Sequence, residues 1–274
     1  MGEKLSVDDV RSSVRETYAQ VARQSENSSS TEAGCCSGSS CCAPEVATLQ
    51  SAESVSVGLG YSQEDVTVIP DGANMGLGCG NPQAIAALKP GEVVVDLGCG
   101  GGFDAFLAAQ QVGSDGQVIG VDMTPDMVSK ARKNVAKSDF ENIDIRLGEI
   151  EHLPVADSSV DVIISNCVIN LSPEKAQVCI DAFRVLKPGG RLAISDIVAT
   201  EPLPESVLND LALISGCISG ASTIDDHLTM LKAAGFADIV ITERPESRAF
   251  IADWVPGSGL EEYVVSATIE ARKA

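Results

Sequence analysis

The stretch that most constrains this chain is Asp96-Leu97-Gly98-Cys99-Gly100-Gly101-Gly102, between the apolar run EVVVDLG (92–98) and the helix-like FDAFLAAQQV (103–112). Glycines between a strand and a helix let the backbone turn sharply and come close to a ligand, with the helix N–H groups facing it. Beyond this loop, β-branched runs alternate with helical patterns. GQVIGVDM (116–123), IDIRLGEI (143–150), VDVIISNCVI (160–169), GGRLAISDIVA (189–199), FADIVITER (236–244) and YVVSATIEARK (263–273) read as further strands. Thr124-Pro125 and Ser172-Pro173 read as helix starts, the second helix running to about Lys187. Strands and helices at this spacing imply right-handed βαβ crossovers and an α/β fold with a doubly wound, mainly parallel, seven-stranded sheet. The segment 201–235 reads as a helical insertion over the strand ends.

Composition limits the partners. The 274 residues carry 39 acidic and 19 basic side chains, a net charge of −20 that repels nucleic-acid backbones and anionic lipid. No apolar run approaches the roughly 20 residues of a membrane span. MGEKLSVDDV lacks the apolar core of a signal peptide, so the expected compartment is the cytoplasm. The nine cysteines are then expected as reduced thiols rather than a disulfide framework. Four of them, Cys35, Cys36, Cys41 and Cys42, fall in a small-residue, polar stretch (26–50) expected to be a mobile loop. It follows an amphipathic helix over 5–24 whose apolar face carries Val7, Val10, Val14, Tyr18 and Val21. The expected organisation is 1–50 as that extension, 51–200 as the ligand-binding α/β domain, and 201–274 as the insertion and final strands.

The glycine loop does not fit the dinucleotide fingerprint G-x-G-x-x-G, because Phe103 stands where the third glycine belongs. It fits D-x-G-x-G-x-G, and so resembles the first motif of Rossmann-like (class I) methyltransferases that use S-adenosyl-L-methionine. Asp122 ends the second strand, 24 residues beyond Gly98, where a carboxylate can accept from both ribose hydroxyls. The resemblance implies a cofactor site of Asp96, Gly98, Cys99, Gly100, Asp122, Met123, Glu149, Ile150 and Asn166, with Glu149-Ile150 at the adenine and His152 bordering it. Lys187-Pro188-Gly189-Gly190 is a turn such enzymes commonly carry and serves the fold.

Three thiols stand apart from the rest. Cys79 lies in GLGCGNP (76–82), Cys167 in SNCVINL (165–171) at the end of the fourth strand, and Cys217 in SGCISGA (215–221) within the insertion. Ligands of open α/β sheets bind outside the carboxyl ends of the strands, where Cys167 faces the presumed donor. Small residues flank all three, as befits turns, whereas Cys179 inside a helix reads as a small core hydrophobe.

Residues 57–235 resemble microbial arsenite S-adenosylmethionine methyltransferases. The resemblance rests on GANMGLGCGNP (72–82), VVVDLGCGGGFDAFLAA (93–109), VIGVDMTPDM (118–127), LGEIEHLPVADSSVDVIISNCVINLSPEK (147–175) and RVLKPGGRLAISDIV (184–198). It implies Cys79, Cys167 and Cys217 as ligands of trivalent arsenic, a C-terminal arsenic-binding segment, and a thiol reductant such as thioredoxin or glutathione. No role carries over to the cysteine pairs at 35–36 and 41–42. The C-x4-C gap of Cys36 and Cys41 suits zinc or metalloid capture, and a dispensable extension suits the segment equally.

Thiolates are soft donors for a soft centre, and arsenic on three sulfurs keeps a lone pair that can take a methyl group without losing a proton. Positioning, which can supply about 7–11 kcal/mol, would then dominate catalysis, and no general base is required. That accords with a chain whose two histidines, His152 and His227, lie outside any catalytic context. Two rivals stay open. A methyltransferase for a small organic acceptor would want a base and an aromatic pocket, whereas aromatics are 4% of the chain and Trp254 is far in sequence from the motifs. A non-enzymatic metalloid-binding protein would leave Asp96–Gly102 and Asp122 without a role.

Overall fold

The structure is a computed structural model describing residues 6–27, 51–204, 207, 213–214, 216–254 and 256–274. The two cysteine pairs at 35–36 and 41–42, and part of the expected insertion, lie outside the described residues. Strands β1 (Val93–Leu97), β2 (Gln117–Asp122), β3 (Ile143–Leu147), β4 (Val160–Asn166), β5 (Leu186–Ala199), β6 (Ala237–Arg244) and β7 (Val264–Arg272) form one sheet. Its order is β3-β2-β1-β4-β5-β7-β6, with β7 antiparallel to both neighbours. The doubly wound, mainly parallel seven-stranded sheet expected from the sequence is therefore present.

The central strands are buried on both faces, which is why they read as continuous β-branched runs. Val94, Val95, Ile163 and Ile164 are wholly buried. Each such side chain contributes roughly 1.5–3 kcal/mol by leaving water. On one face Ala105, Ala108 and Val112 of α5 (Phe103–Val112) pack against β1, β2 and β4. On the other, α7 (Lys175–Val185) and α8 (Ile224–Ala234) bring Val178, Val185 and Leu231 onto the sheet. α8 starts on a capping box of Thr223 and Asp226 and stops at Gly235, whose φ of 105° ends the helix.

Several boundaries differ from the sequence expectation. β3 stops at Leu147 and β4 at Asn166, each three residues early, because the chain leaves the sheet to line a cavity. Lys187–Gly190 belongs to a β5 that starts at Leu186 rather than to a separate turn. α7 is shorter than expected, beginning at Lys175 and ending at Val185.

What matters for function is where the strand order reverses. β1 pairs with β2 on one side and β4 on the other, Leu97 lying beside Ser165. The crossovers leave in opposite directions there, opening a crevice at the carboxyl ends of β1 and β4. The glycine loop and Cys167 therefore emerge side by side. α1 (Val7–Asn27) lies across this edge and packs on α6 (Pro125–Ala136). Among the described residues no helix is long and apolar enough to cross a membrane.

Candidate active site

The crevice deepens into a cavity of about 740 Å³, a size suited to a nucleotide-like ligand. Its floor is the glycine loop. Gly98 (φ 64°) and Cys99 both donate backbone N–H bonds to the Val121 carbonyl, at 2.7 and 3.1 Å. A Cβ on Gly98 would stand 2.5 Å from a Val168 methyl, so the loop after β1 touches the turn carrying Cys167. Asp122 holds the loop from the end of β2, its two oxygens accepting from Gly100 N–H (3.0 Å) and Thr124 N–H (2.8 Å). Burial pushes the Asp122 carboxyl up, and the Thr124 and Gly100 N–H groups pull against that.

Asp96 lies beneath the loop, 3% exposed and facing the cavity, and its Oδ2 has no hydrogen-bond partner among the described residues. Burial, then the charges of Asp104 and Asp122, hold its carboxyl well above the usual range. A buried carboxylate oxygen without a partner is the kind of group that a bound amine or hydroxyl would satisfy. The cradle thus fits S-adenosylmethionine: glycine backbone for close approach, Asp122 for ribose hydroxyls and Asp96 for a cationic amine.

Met123, Ile150 and Asn166 also line the cavity, and so does Cys99, which also packs with Val128, Ala131 and Ile145. Glu149 does not. It turns outward to Arg15 at 3.3 Å and Arg11 at 3.8 Å, while Glu151, two residues on, enters the wall and accepts from Ser172 Oγ at 2.6 Å. His152 is exposed and takes no part in the lining, which corrects the expectation that it borders the adenine. The early end of β3 explains both shifts, since residues after Leu147 no longer alternate as strand.

The three thiols, separated by 88 and 50 residues in sequence, meet at the inner end of this cavity in one buried apolar cluster. The Cys79 and Cys167 sulfurs and an Asp196 carboxylate oxygen lie within 4.8 Å of one another. Cys217 Sγ donates to the Cys167 carbonyl at 3.0 Å. Cys167 and Cys217 line the cavity, whereas Cys79, 1% exposed, lies behind its wall. Cys79 is fixed by Asn166, whose Oδ1 accepts its N–H at 3.0 Å, and by Ser266 Oγ, which donates to its carbonyl at 2.7 Å. Burial pushes the Cys79 thiol up to about 11. Cys217 is held well above its ordinary value by its bond with Cys167 and by burial. Cys167 is also raised: the bond from Cys217 lowers it, but its bond with Cys79 and burial outweigh that. Cys179 packs inside the main core, as expected.

Cys167 and Cys217 have φ of 60° and 65°, a left-handed backbone that costs non-glycine residues about 1–2 kcal/mol. Such strain collects at functional sites and persists only where its surroundings over-determine it. Here Asn170 and Asp196 supply that determination. Asp196 is wholly buried and accepts from Ile169 N–H (2.9 Å), Ile197 N–H (2.8 Å) and Asn170 Nδ2 (3.0 Å). The same Asn170 nitrogen reaches the carbonyls of Ile197 (2.6 Å) and Cys217 (3.4 Å), tying the Cys217 loop to the Cys167 turn. Burial pushes the Asp196 carboxyl up to about 7, while the N–H groups of Ile197 and Ile169 and the charge of Lys175 draw it down.

Sequence reasoning missed these two residues, although Asn170 sits in the apolar turn that follows β4 and Asp196 in the apolar run of β5. It also missed the aromatic side of the cavity. Phe250 and Trp254, from α9 (Arg248–Trp254), line the cavity with their ring centroids 5.5 Å apart, joined by Phe103. Trp254, far in sequence from the motifs, thus reaches the site through the fold. Because β7 runs antiparallel, the β6–β7 connection returns to the carboxyl edge of the sheet and lays α9 over the crevice. Tyr18, read from sequence only as an apolar helix position, faces the cavity from α1.

A family model for a methyltransferase domain matches residues 88–235. The chain is 55% identical over 273 residues to the arsenite methyltransferase of Halobacterium salinarum, an alignment covering 97% of this chain and 67% of that protein. It is 41% identical over 173 residues to that of Aquipseudomonas alcaligenes, covering 61% of this chain and 49% of the relative. Among solved structures, the arsenic(III) S-adenosylmethionine methyltransferase of Chlamydomonas reinhardtii is similar at 36% identity and a TM-score of 0.59. That match covers 80% of this chain and 72% of the other. Likeness in sequence over almost the whole chain, and in fold to a solved relative, leads to one conclusion: the chain belongs to the arsenite methyltransferase family.

Proposed function

We propose that this chain moves methyl groups from S-adenosylmethionine to trivalent arsenic held by Cys79, Cys167 and Cys217: the arsenic lone pair forms the As–C bond as the donor's S–C bond breaks, two cysteine sulfurs join as a disulfide to restore the two electrons that arsenic gives up, and a thiol reductant such as thioredoxin or glutathione reduces that disulfide. The observation that carries this reading is the meeting of three sequence-distant thiols at the inner end of a cavity floored by the glycine loop and Asp122. When bound, S-adenosylmethionine supplies an electrophilic methyl group, and a soft lone pair is its natural acceptor.

The chain's own residues then have separable roles. Asp122, Asp96 and the glycine loop orient the donor. The apolar cluster around the thiols excludes water from the acceptor. The raised thiols stay protonated at neutral pH, which keeps them from disulfide exchange. Capture needs no base: each cysteine S–H and each As–OH of arsenite give one S–As bond and one water. Asn170 and Asp196 hold Cys167 and Cys217 close together beforehand, so less ordering remains to be done on binding.

The test is incubation with arsenite, S-adenosylmethionine and a thiol reductant, followed by arsenic speciation. Cys167→Ser and Cys217→Ser are expected to lose at least about 100-fold in methylation, the scale on which a misplaced reacting group is felt. Undiminished product from either removes the ligand assignment. Cys79→Ser is expected to lose the first methylation more than the second, since a methylated arsenical needs only two thiolates. Equal loss of both counts against that division.

A further inference from the structure

The glycines on either side of Cys79 admit a close neighbour. A Cβ on Gly78 (φ 123°) would stand 2.7 Å from Asn166 Nδ2, 2.8 Å from Oδ1 and 2.9 Å from Cγ, so the Asn166 amide lies face-on against this backbone. A Cβ on Gly80 would stand 3.0 Å from Ser195 Oγ on the other side. The amide grips the segment Gly78-Cys79-Gly80 with both of its ends: Oδ1 accepts the Cys79 N–H at 3.0 Å, and Nδ2 donates to the Gly80 carbonyl at 2.9 Å.

An amide keeps nearly the same shape when its oxygen and nitrogen exchange places, so its partners decide which end faces the Cys79 N–H. The Gly80 carbonyl is one such partner, but it moves with the loop that it holds. Tyr61 is the partner anchored outside that loop. Its hydroxyl has one proton, which goes to the Asp104 carboxylate at 2.8 and 3.0 Å. Its oxygen is left to accept, and takes an Asn166 Nδ2 proton at 3.0 Å. Asn166 must then turn its nitrogen to Tyr61 and its oxygen to Cys79. Asp104, in the first turn of α5, is steadied by Gln83 Nε2, which donates to its Oδ1 at 3.3 Å and to its backbone carbonyl at 2.9 Å. The Tyr61 ring packs edge-on against Phe103, with centroids 4.8 Å apart. Tyr61 is 4% exposed and does not line the cavity, so it reaches the chemistry only through these neighbours.

Resting on the three-thiol reading above, we infer that Tyr61 is a positioning residue for Cys79: its hydroxyl, aimed by Asp104, fixes the Asn166 amide that presents the third sulfur to arsenic. Cys79 completes the set that arsenite needs, whereas a methylated arsenical needs two thiolates. Tyr61 should therefore bear on the first methylation and little on the second, a division that general loosening of the fold does not produce.

Tyr61→Phe removes one oxygen and keeps the ring on Phe103, with the thermal midpoint reporting the fold. Its KM should rise about fivefold for arsenite, the weight of one hydrogen bond, and less than about twofold for monomethylated trivalent arsenic. Near-ultraviolet sulfur-to-arsenic absorption, which needs no turnover, should repeat that contrast. Placed in a Cys79→Ser background, Tyr61→Phe should add no further loss, because independent effects multiply and effects through one residue do not. Should Tyr61→Phe fail to fold, Asp104→Asn carries the test: its amide nitrogen can face the phenol and free the proton that aims Asn166, so the same contrast between the two arsenicals is expected. An unchanged arsenite KM overturns the proposal, as does an equal rise for both arsenicals or a further loss in the Cys79→Ser background. A matching loss of affinity for S-adenosylmethionine alone, read from the fluorescence of Trp254 at the cavity wall, also overturns it, since Asp104 and Asn166 would then serve the donor. Wild-type protein that neither binds nor methylates arsenite, or a Cys79→Ser variant that loses both methylations equally, overturns the three-thiol reading itself and this inference with it.

Discussion

Gly98 and Gly100 show how single positions divide the work of one loop. Both have positive φ, 64° and 51°, so an alanine at either is strained by roughly 1 kcal/mol or more. Their surroundings differ. A Cβ on Gly98 would stand 2.5 Å from one Val168 methyl and 2.6 Å from the other, pressing on the turn that carries Cys167. A Cβ on Gly100 would meet no described atom within 4 Å, since that side is open to the cavity. Gly98→Ala is therefore expected to lower stability by about 2–4 kcal/mol, strain plus overpacking, and to weaken donor and arsenite binding together. Gly100→Ala should cost only about 1 kcal/mol in stability and weaken donor binding alone. Denaturant midpoints and separate ligand titrations distinguish the two. Identical profiles would mean that the loop after β1 and the Cys167 turn are not mechanically linked.

At the scale of elements, what the sequence revealed follows from where the chemistry is local. β-branched runs, the glycine loop and proline-marked helix starts are written in adjacent residues, so the parallel strands and the donor loop were legible. Cys79, Cys167 and Cys217 could be singled out by their small flanking residues, but only the reversal of strand order between β1 and β4 brings them together. α9 was not legible because seven residues carry little periodicity, and its placement depends on β7 running antiparallel 10 residues later. The role of α1 was half legible: its apolar face was plain, but nothing local distinguishes Tyr18 from a packing residue. α8 carries a further consequence. His227 on its buried face is 3% exposed, and its Nε2 has no hydrogen-bond partner among the described residues. Burial, then the charge of Lys175, bring the imidazole down to about 4, with Asp226 opposing. A depressed histidine favours the folded state above its ordinary value near 6.5, where both states are neutral. That favour is lost as pH falls toward 4, because the unfolded chain takes up the proton first. Between about pH 7 and about pH 4.5 the loss amounts to about 2 kcal/mol. His227→Leu should leave stability at neutral pH within about 1 kcal/mol and flatten this acid slope, as read from urea midpoints at the two pH values. An unchanged slope would assign acid sensitivity to other groups.

For the whole molecule the governing quantity is the charge of −20. Two salt responses oppose each other. Screening weakens the ion pairs that clamp α1, of Arg11 and Arg23 with Glu149, Glu151, Glu174 and Asp126, and those of Arg184 and Arg191 elsewhere. Such pairs contribute about 0–1 kcal/mol each when exposed. Screening also relieves the mutual repulsion among the acidic groups, which at 39 against 19 basic ones leave the chain strongly negative. Excess charge acts across the entire surface, and the few pairs act locally, so relief of repulsion should win. Raising potassium chloride from about 0.1 M to about 1 M shortens the screening length from roughly 10 Å to 3 Å. The unfolding midpoint is expected to rise, by at least about 1 kcal/mol in stability, while the α1 clamp loosens. Thermal melts in potassium chloride, with sucrose as a neutral co-solvent control, read the first effect. Arsenite affinity over the same range reads the second, because α1 packs Val10, Val14 and Tyr18 against the cluster that holds the three cysteines. A midpoint that falls with salt would mean that the pairs, not the excess of carboxylates, dominate the field. A rising midpoint with unchanged arsenite affinity would mean that the apolar contacts of Val10 and Val14 hold the helix without help from its charges.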